Sequence, residues 1–399
     1  MTATHDEHAT IRELSVEDAF QFAATQLRHL ITTHAGRTPT YTTNGHWVLD
    51  NDRWAPNWNG GFLAGMLWIL SRRTGEAWWL QQAKAYTLAL EPRKNDTGTH
   101  DIGFLLEPSF GRWYDYEHDE HARDVLTTGG RTMAGRMQYP GGYLRTWVDA
   151  GSTFIDVMMN VGIILRAAEY SNDPKLKEVA LRHSETTRRY LVRGDGSTLH
   201  EGWFDTTTGE FLRAATHQGA RSDSSWARGQ AWAIYGFSTV FRHTGQLDML
   251  TTAQRCADFY ISQTTTVGVP PNDWTDANPE PPFESSASAI AAAGMLHLAN
   301  ALDTHGAATD AVRYRDYANL ILHTLRSTRF LAVDTAGWEG IVKHAIYHRR
   351  NGLGVDESVM WGDHYFLEAL DLSDRTSSTG STGSVTANSV SSTATNDAN

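Results

Sequence analysis

The chain has 399 residues, 40% apolar and 20% charged, which is enough for a large core and unlike a disordered chain. Its formal charge of −12 argues against nucleic acid or an anionic membrane as the main partner, so an anionic ligand would need local Arg, Lys and His to overcome the global field. The single cysteine, Cys256, excludes an intrachain disulfide, the start MTATHDEHATIREL is too polar for a secretory signal, and no apolar run reaches the ~18 residues of a membrane span, so a cytoplasmic location is expected.

The elements predicted along the chain are mostly helical, and they come in pairs. An apolar-periodic segment meets a short polar break, and a second periodic segment follows. The first copy quoted, GFLAGMLWILSRRTGEAWWLQQAKAYTLAL, breaks at Thr74-Gly75. FIDVMMNVGIILRAAEYSNDPKLKEVALRHSETTRRYL breaks at Asn172-Asp173-Pro174, and GQAWAIYGFSTVFRHTGQLDMLTTAQRCADFYISQT at Thr244-Gly245. ASAIAAAGMLHLANALDTHGAATDAVRYRDYANLILHTL breaks near Gly306. Gly or Asn after a periodic segment is a C-cap signal, and Pro174 suits the first turn of the next helix. Each copy is a helical hairpin whose first helix is the more apolar and whose second carries more charge, so the first helices form an inner ring and the second an outer one. About 30 residues per helix and loop give roughly twelve helices, hence six hairpins closed into an (α/α)6 barrel. Short strands are expected in 195–215 and 330–350. From Arg375 the chain is rich in Ser and Thr, with two valines and no aromatic residue. The expected organisation is therefore a single barrel over 1–374 and a disordered tail over 375–399.

Chemistry-bearing residues concentrate in a few places. The stretch THQGARSDSSWARGQAWAIYG gathers Gln218, Trp226, Arg228 and Trp232. Indole faces stack on sugar rings, and a guanidinium grips a carboxylate with two prongs, so the pattern suggests a ligand that is both sugar and acid. Arg228 and Trp232 lie four apart on one helix, with Ser224 and Ser225 as candidate caps near Trp226. A purely structural Arg–Trp stack is the alternative. Asp101, after a turn-rich run and before IGFLL, and Asp156, near the start of an apolar helix with Asn160 on its face, are unusual settings for surface carboxylates. Each reads equally as a capping or buried structural aspartate. If paired, burial and mutual repulsion would hold one protonated near neutrality. His200, in RGDGSTLHEGW, reads by itself as a loop histidine. EHDEH (117–121) lacks the zincin pattern and reads as a solvated acidic turn, and KHAIYHRR (343–350) as a basic strip. No P-loop, dinucleotide fingerprint or GxSxG motif is present.

The ordered set WNGGF (58–62), HDIGF (100–104), FIDVMMN (154–160), His200, THQG (216–219), SWARGQAWAIYG (225–236), SSASAIAAAG (285–294) and YHRRNGLGVDESVMWGDHYF (347–366) resembles glycoside hydrolase family 88, the unsaturated glucuronyl hydrolases. The resemblance implies an (α/α)6 barrel acting on lyase-generated oligosaccharides that carry a 4,5-unsaturated uronate at the non-reducing end. It implies Asp156 as general acid/base and Asp101 as its essential partner. Trp58, His200, Gln218, Trp226, Arg228, Trp232 and Tyr347 would line the substrate site, with neither metal nor organic cofactor. Lys343, His348, Arg349 and Arg350 would either contact a sulfate on the leaving sugar or serve as surface charges. The rival readings are an unsaturated rhamnogalacturonyl hydrolase, a non-catalytic barrel that binds acidic sugars, and an ordinary glycosidase acting on saturated uronides.

Overall fold

The computed structural model describes residues 11–49, 58–264, 267–275 and 282–381, with side chains as far as residue 375. Its helices are α1 (Val16–Thr33), α2 (Gly60–Thr74), α3 (Ala77–Leu88), α4 (Ile102–Leu106), α5 (Arg112–Glu117), α6 (Glu120–Ala134), α7 (Gly162–Ser171), α8 (Pro174–Tyr190), α9 (Ala227–Thr244), α10 (Leu247–Gln263), α11 (Ser285–Thr304), α12 (Ala308–Leu325) and α13 (Met360–Ser381). The expected breaks are where the sequence puts them. Gly75, Asn172 and Gly245 end α2, α7 and α9 in the left-handed region, at φ 68°, 50° and 70°. Pro174 opens α8 behind Asp173, whose carboxylate accepts from the Lys175 N–H.

Burial separates the two layers. α2 is buried from Gly60 to Leu70, and α11 is buried at most positions from Ser285 to Leu302. α8 instead buries only a stripe, including Leu176, Val179, Ala180 and His183. The inner members α2, α4, α7, α9, α11 and α13 contact one another in order, and α13 closes back on α2. α3, α6, α8, α10, α12 and α1 pack outside them, which completes the expected (α/α)6 barrel. Closure is tight where α2 meets α4: a Cβ on Gly61 would lie 2.1 Å from the Phe104 carbonyl oxygen, so only glycine fits.

One inner member departs from a simple helix. Between α4 and α5 the chain widens into a π turn, Glu107–Gly111, that includes Pro108. Pro108 lacks the N–H that an α-helical ladder needs, and the turn absorbs the gap. At the other end of the chain α13 runs to Ser381, past the boundary expected at 374. Extending a helix already anchored in the core costs little even for poor helix formers. Residues 382–399 of the expected disordered tail lie outside the described residues.

Short strands shape one end of the barrel. Two-residue pairs β1 (Thr42–Thr43) with β2 (His46–Trp47) and β3 (Met137–Gln138) with β4 (Tyr143–Leu144) precede a three-stranded antiparallel sheet of β5 (Ser152–Phe154), β6 (Glu201–Phe204) and β7 (Phe211–Ala215). β8 (Ala345–His348) and β9 (Leu353–Glu357) form a hairpin. Strands thus occur in both stretches where the sequence suggested them. In the centre of the ring four aromatic side chains from α2, α4, α9 and α13 meet in a closed circuit. Centroids are 5.4 Å apart for Phe62–Phe104, 5.1 Å for Phe104–Trp232, 5.6 Å for Trp232–Tyr365 and 5.6 Å for Tyr365–Phe62.

Candidate active site

On one side of this aromatic layer lies an open pocket of about 410 Å³ lined by Trp58, His100, Asp101, Phe104, Trp147, Phe154, Asp156, Gln218, Arg228, Trp232 and Tyr347. Several of its residues sit at the beginnings of inner helices. Trp58 just precedes α2, Asp101 is the residue before α4, and Arg228 and Trp232 lie in the first turns of α9. The positive ends of these helices are therefore turned towards the pocket, which favours an anionic ligand despite the overall negative charge. On the other side of the layer a wider cavity of about 1090 Å³ is lined by a charged cluster that includes Arg112, Arg242, His297 and Glu368. There Glu368 accepts from Arg112 at 2.6 Å and from the Tyr235 hydroxyl at 2.7 Å, and its carboxyl is held well below the usual range because His297, His364 and Arg112 outweigh burial.

Asp101 and Asp156 share the first pocket, as expected, although 55 positions separate them in the chain. Asp156 is not on an α-helix. It lies in a 3₁₀ turn, Ile155–Met159, that follows β5, and α7 begins only at Gly162. The sheet sets its neighbours: Phe154 pairs with Glu201, and the Ile155 N–H donates to the His200 carbonyl at 2.9 Å, bringing Asp156 against His200. Asn160 holds the turn from below, its amide nitrogen donating to the Asp156 carbonyl at 3.3 Å and its oxygen accepting from the Phe104 N–H at 2.8 Å.

The two carboxyls are housed differently. Burial raises the Asp156 pKa to about 7; Arg228, its own backbone N–H and Trp232 pull it down, and the Asp101 charge pushes it up. Its Oδ2 is buried without a hydrogen-bond partner, and the Trp232 indole N–H approaches the carboxyl without completing a bond. Asp101 accepts from the Thr99 hydroxyl at 2.7 Å, and its other oxygen lies 3.5 Å from His100 Nε2.

A buried histidine stands beside each acid. His200 Nδ1 accepts from the His217 N–H at 3.1 Å and lies 2.9 Å from the Thr216 hydroxyl. Its proton therefore belongs on Nε2, which points at Asp156 Oδ2 across 3.6 Å. Burial, with help from His217 and Arg228, holds its pKa well below the usual value, so the ring is neutral. His100 repeats the arrangement: its Nδ1 accepts from the Trp147 N–H at 3.3 Å, and burial lowers its pKa. His200 thus lies in the bend just before β6, as its sequence suggests, but is buried against Asp156, and neither it nor Trp226 lines the pocket. Trp226 packs behind, 4.7 Å from the His200 ring.

Arg228 departs most from expectation. Only 2% exposed, it donates from one NH group to the Ile346 carbonyl and to Glu284 at 3.3 Å, and from the other to the Gln218 side-chain oxygen and to the Tyr347 carbonyl at 2.7 Å. Its plane lies between the Trp226 and Trp361 rings, 4.4 and 5.1 Å from their centroids. The prongs that sequence reasoning assigned to a ligand carboxylate are engaged inside the protein. Gln218, with its oxygen turned to Arg228, presents its amide NH₂ group to the pocket. The expected serine caps of α9 are also absent, because Ser224 bonds Asp273 at 2.5 Å and the Ala227 N–H finds the Asn272 carbonyl at 3.0 Å.

Tyr347 arrives on β8 and stacks with Trp58 at 6.4 Å. The rest of the basic strip divides. Lys343 bonds the Thr335 hydroxyl at 2.9 Å, and Arg350 donates to the Thr216 and Ala220 carbonyls. His348 is buried, and Arg349 is exposed. In EHDEH, Asp119 caps α6 through the Ala122 N–H, and His121 meets Glu91 at 3.1 Å. Sequence reasoning missed His100, Phe104, Trp147 and Phe154. His100 and Phe104 lie inside the HDIGF motif and Phe154 opens FIDVMMN, whereas Trp147, 39% exposed at the pocket, lies in no motif.

A closed helical barrel that gathers two dissimilar carboxyls and several indoles at one end is the build of a glycoside hydrolase. The chain belongs to Glycosyl Hydrolase Family 88, whose model matches residues 31–356. It is 32% identical to the unsaturated glucuronyl hydrolase of Bacillus sp. (strain GL1), over 89% of this chain and 95% of that one. It is 29% identical to the unsaturated chondroitin disaccharide hydrolase of Streptococcus agalactiae, over 90% and 92%. The crystal structure of the Bacillus enzyme superposes with a TM-score of 0.84 over 89% of this chain and 96% of that one. An unsaturated glucuronyl hydrolase specific for heparin, 28% identical, gives the same TM-score over 91% and 98%.

Proposed function

We propose that the protein is an unsaturated glucuronyl hydrolase that removes a 4,5-unsaturated uronate from the non-reducing end of lyase-generated oligosaccharides, glycosaminoglycan fragments among them. The observation that carries this reading is Asp156: a buried carboxyl with a pKa near 7 that lines an aromatic-walled pocket beside Asp101, one oxygen facing neutral His200 without a hydrogen bond. A carboxylic acid that keeps its proton at neutral pH can give it to carbon.

The substrate is a vinyl ether. Asp156 delivers its proton to C4, and positive charge develops at C5 and the ring oxygen. The Asp156 carboxylate then takes a proton from the water that adds to C5. The resulting hemiketal opens and releases the neighbouring sugar through its own hydroxyl, which leaves Asp156 protonated for another turnover. Asp101, oriented by Thr99 and His100, holds ring hydroxyls and raises the proton affinity of Asp156. Neutral His200, proton on Nε2, supports the carboxylate once its proton has left. Trp58, Trp232 and Tyr347 supply the sugar-stacking walls, Gln218 donates to the substrate, and Trp226 and Arg228 hold these groups in place. Such acid/base groups contribute about 10²–10⁴-fold. No metal or organic cofactor enters any step. A cytoplasmic location fits the lone, buried Cys256.

Incubation with unsaturated chondroitin disaccharides should remove the ultraviolet absorbance of the double bond. In heavy-oxygen water, with rapid reductive trapping, label should appear at C5 of the opened product. Absorbance loss with rhamnogalacturonan disaccharides alone, or label at the anomeric carbon, would overturn the reading.

A further inference from the structure

Glu284 lies outside the pocket lining, yet it is a fully enclosed acid in contact with a pocket residue, Arg228. It is 0% exposed and stands immediately before α11. One oxygen accepts from the Ala287 N–H at 2.5 Å. The other accepts from the Ser286 hydroxyl at 2.6 Å, the Ile346 N–H at 3.1 Å and Arg228 at 3.3 Å. Glutamate is not a favoured residue at a helix start, and a fully buried carboxylate is costly without a charged partner. A serine would cap α11 with no such burden. What it would lack is reach and charge: Glu284 spans from α11 to α9 and β8, and it meets the guanidinium that in turn grips Gln218 and the Tyr347 carbonyl.

We propose that Glu284 is a positioning residue for the reaction, acting through Arg228 on Gln218 and on the proton of Asp156. Geometrically, the Glu284 contact fixes the guanidinium between its two indoles. That fixes the Gln218 oxygen, and so the direction in which the Gln218 NH₂ meets substrate. Electrostatically, Arg228 feels two acids, Glu284 in contact with it and Asp156. Its charge lowers the proton affinity of Asp156, and Glu284 offsets that charge. Without Glu284 the Arg228 field acts on Asp156 unopposed, and the acid ionises at lower pH. The other charged or titratable groups around the pair are Asp101, His100, His200, His217, Tyr347, His348 and Arg350. Burial keeps His100, His200 and His348 neutral at working pH, the last with a pKa of about 4.

The inference rests on Asp156 as the proton donor, and the test separates the two. Glu284→Gln and Glu284→Asp are compared with wild type on an unsaturated chondroitin disaccharide, with kcat and KM followed from pH 5 to 9 and folding checked by melting temperature. In E284Q the alkaline limb of kcat/KM should move to lower pH by on the order of one unit, and KM should rise about tenfold as Gln218 loses its anchor. E284D keeps the charge but shortens the reach, so its limb should stay at the wild-type position while KM rises. If E284Q does not fold, E284D decides: wild-type KM in a stable E284D refutes the positioning role. A folded E284Q whose limb has not moved refutes the electrostatic role. Failure of the Asp156 reading appears elsewhere, as turnover that survives Asp156→Asn.

Discussion

Replacing Asp156 with asparagine should stabilise the protein at neutral pH while nearly abolishing turnover. The Asp156 carboxyl titrates near 3.8 in an unfolded chain and at about 7 in the folded one. Between those values the folded state holds one more proton than the unfolded state, so raising the pH costs stability. The shift of about three units at 1.36 kcal/mol each makes the cost about 4 kcal/mol once the pH is above 7. Below about pH 4 both states are protonated and the cost vanishes. An asparagine amide cannot ionise, so the Asp156→Asn variant escapes the cost entirely. For a chain of this size 4 kcal/mol corresponds to on the order of 5 °C in Tm. Calorimetry of both proteins from pH 4 to 8.5 should give melting temperatures that converge at the acid end and diverge to a plateau above pH 7, the variant higher. Turnover should fall about 10²–10⁴-fold with substrate affinity largely kept. A Tm difference that does not change with pH would mean that Asp156 is ionised throughout, and it could not then be the acid.

Four further outcomes follow from the same geometry. The alkaline limb of wild-type kcat/KM should lie near pH 7, activity falling as Asp156 loses its proton; a profile still rising through pH 8 would contradict this. Gly61→Ala would push a methyl into the Phe104 and Leu105 carbonyls at 2.1 and 2.5 Å, so it should cost about 1–3 kcal/mol by denaturant titration and lower activity, because α4 follows directly from Asp101. Arg228→Leu should weaken substrate capture and also strand Glu284 in the core, a loss of about 3–5 kcal/mol visible as a lower Tm. Removing residues 382–399 should leave kcat, KM and Tm unchanged, and a deficit in steady-state kinetics would show that the tail takes part.

The hairpins were legible because their signals are local. A left-handed cap at Gly75, Asn172 or Gly245 and a proline at the start of α8 are fixed by the residues themselves. Ring closure follows from counting hairpins, but the close fit of α2 on α4 depends on carbonyls more than 40 positions from Gly61 and has no local trace. The π turn around Pro108 hid one inner helix, since it breaks the apolar period on which such readings depend. At the site, Trp232 and Arg228 were found because one helix face carries both. The use made of Arg228 was not, because Glu284 and Ile346, which occupy it, arrive from α11 and β8. His200 is the loop residue its sequence suggests, but its place against Asp156 is set by the β5–β6 register and has no local trace. Trp147 comes from a segment with no helical period, and Phe154 from a stretch that reads as helix but forms β5, so only the assembled barrel brings them to the pocket.

The aromatic circuit of Phe62, Phe104, Trp232 and Tyr365 has a consequence for how a polymer is handled. A toroid invites threading, and an enzyme that threads its substrate can cut at interior bonds or run along the strand. This toroid is stoppered at its waist. A saccharide can reach Asp156 from the Trp58 side, terminal ring foremost, and cannot run on through the ring of helices. Degradation should therefore scale with the number of unsaturated termini in solution, and oligosaccharides of different length should each lose a single residue, because the end left behind carries no double bond.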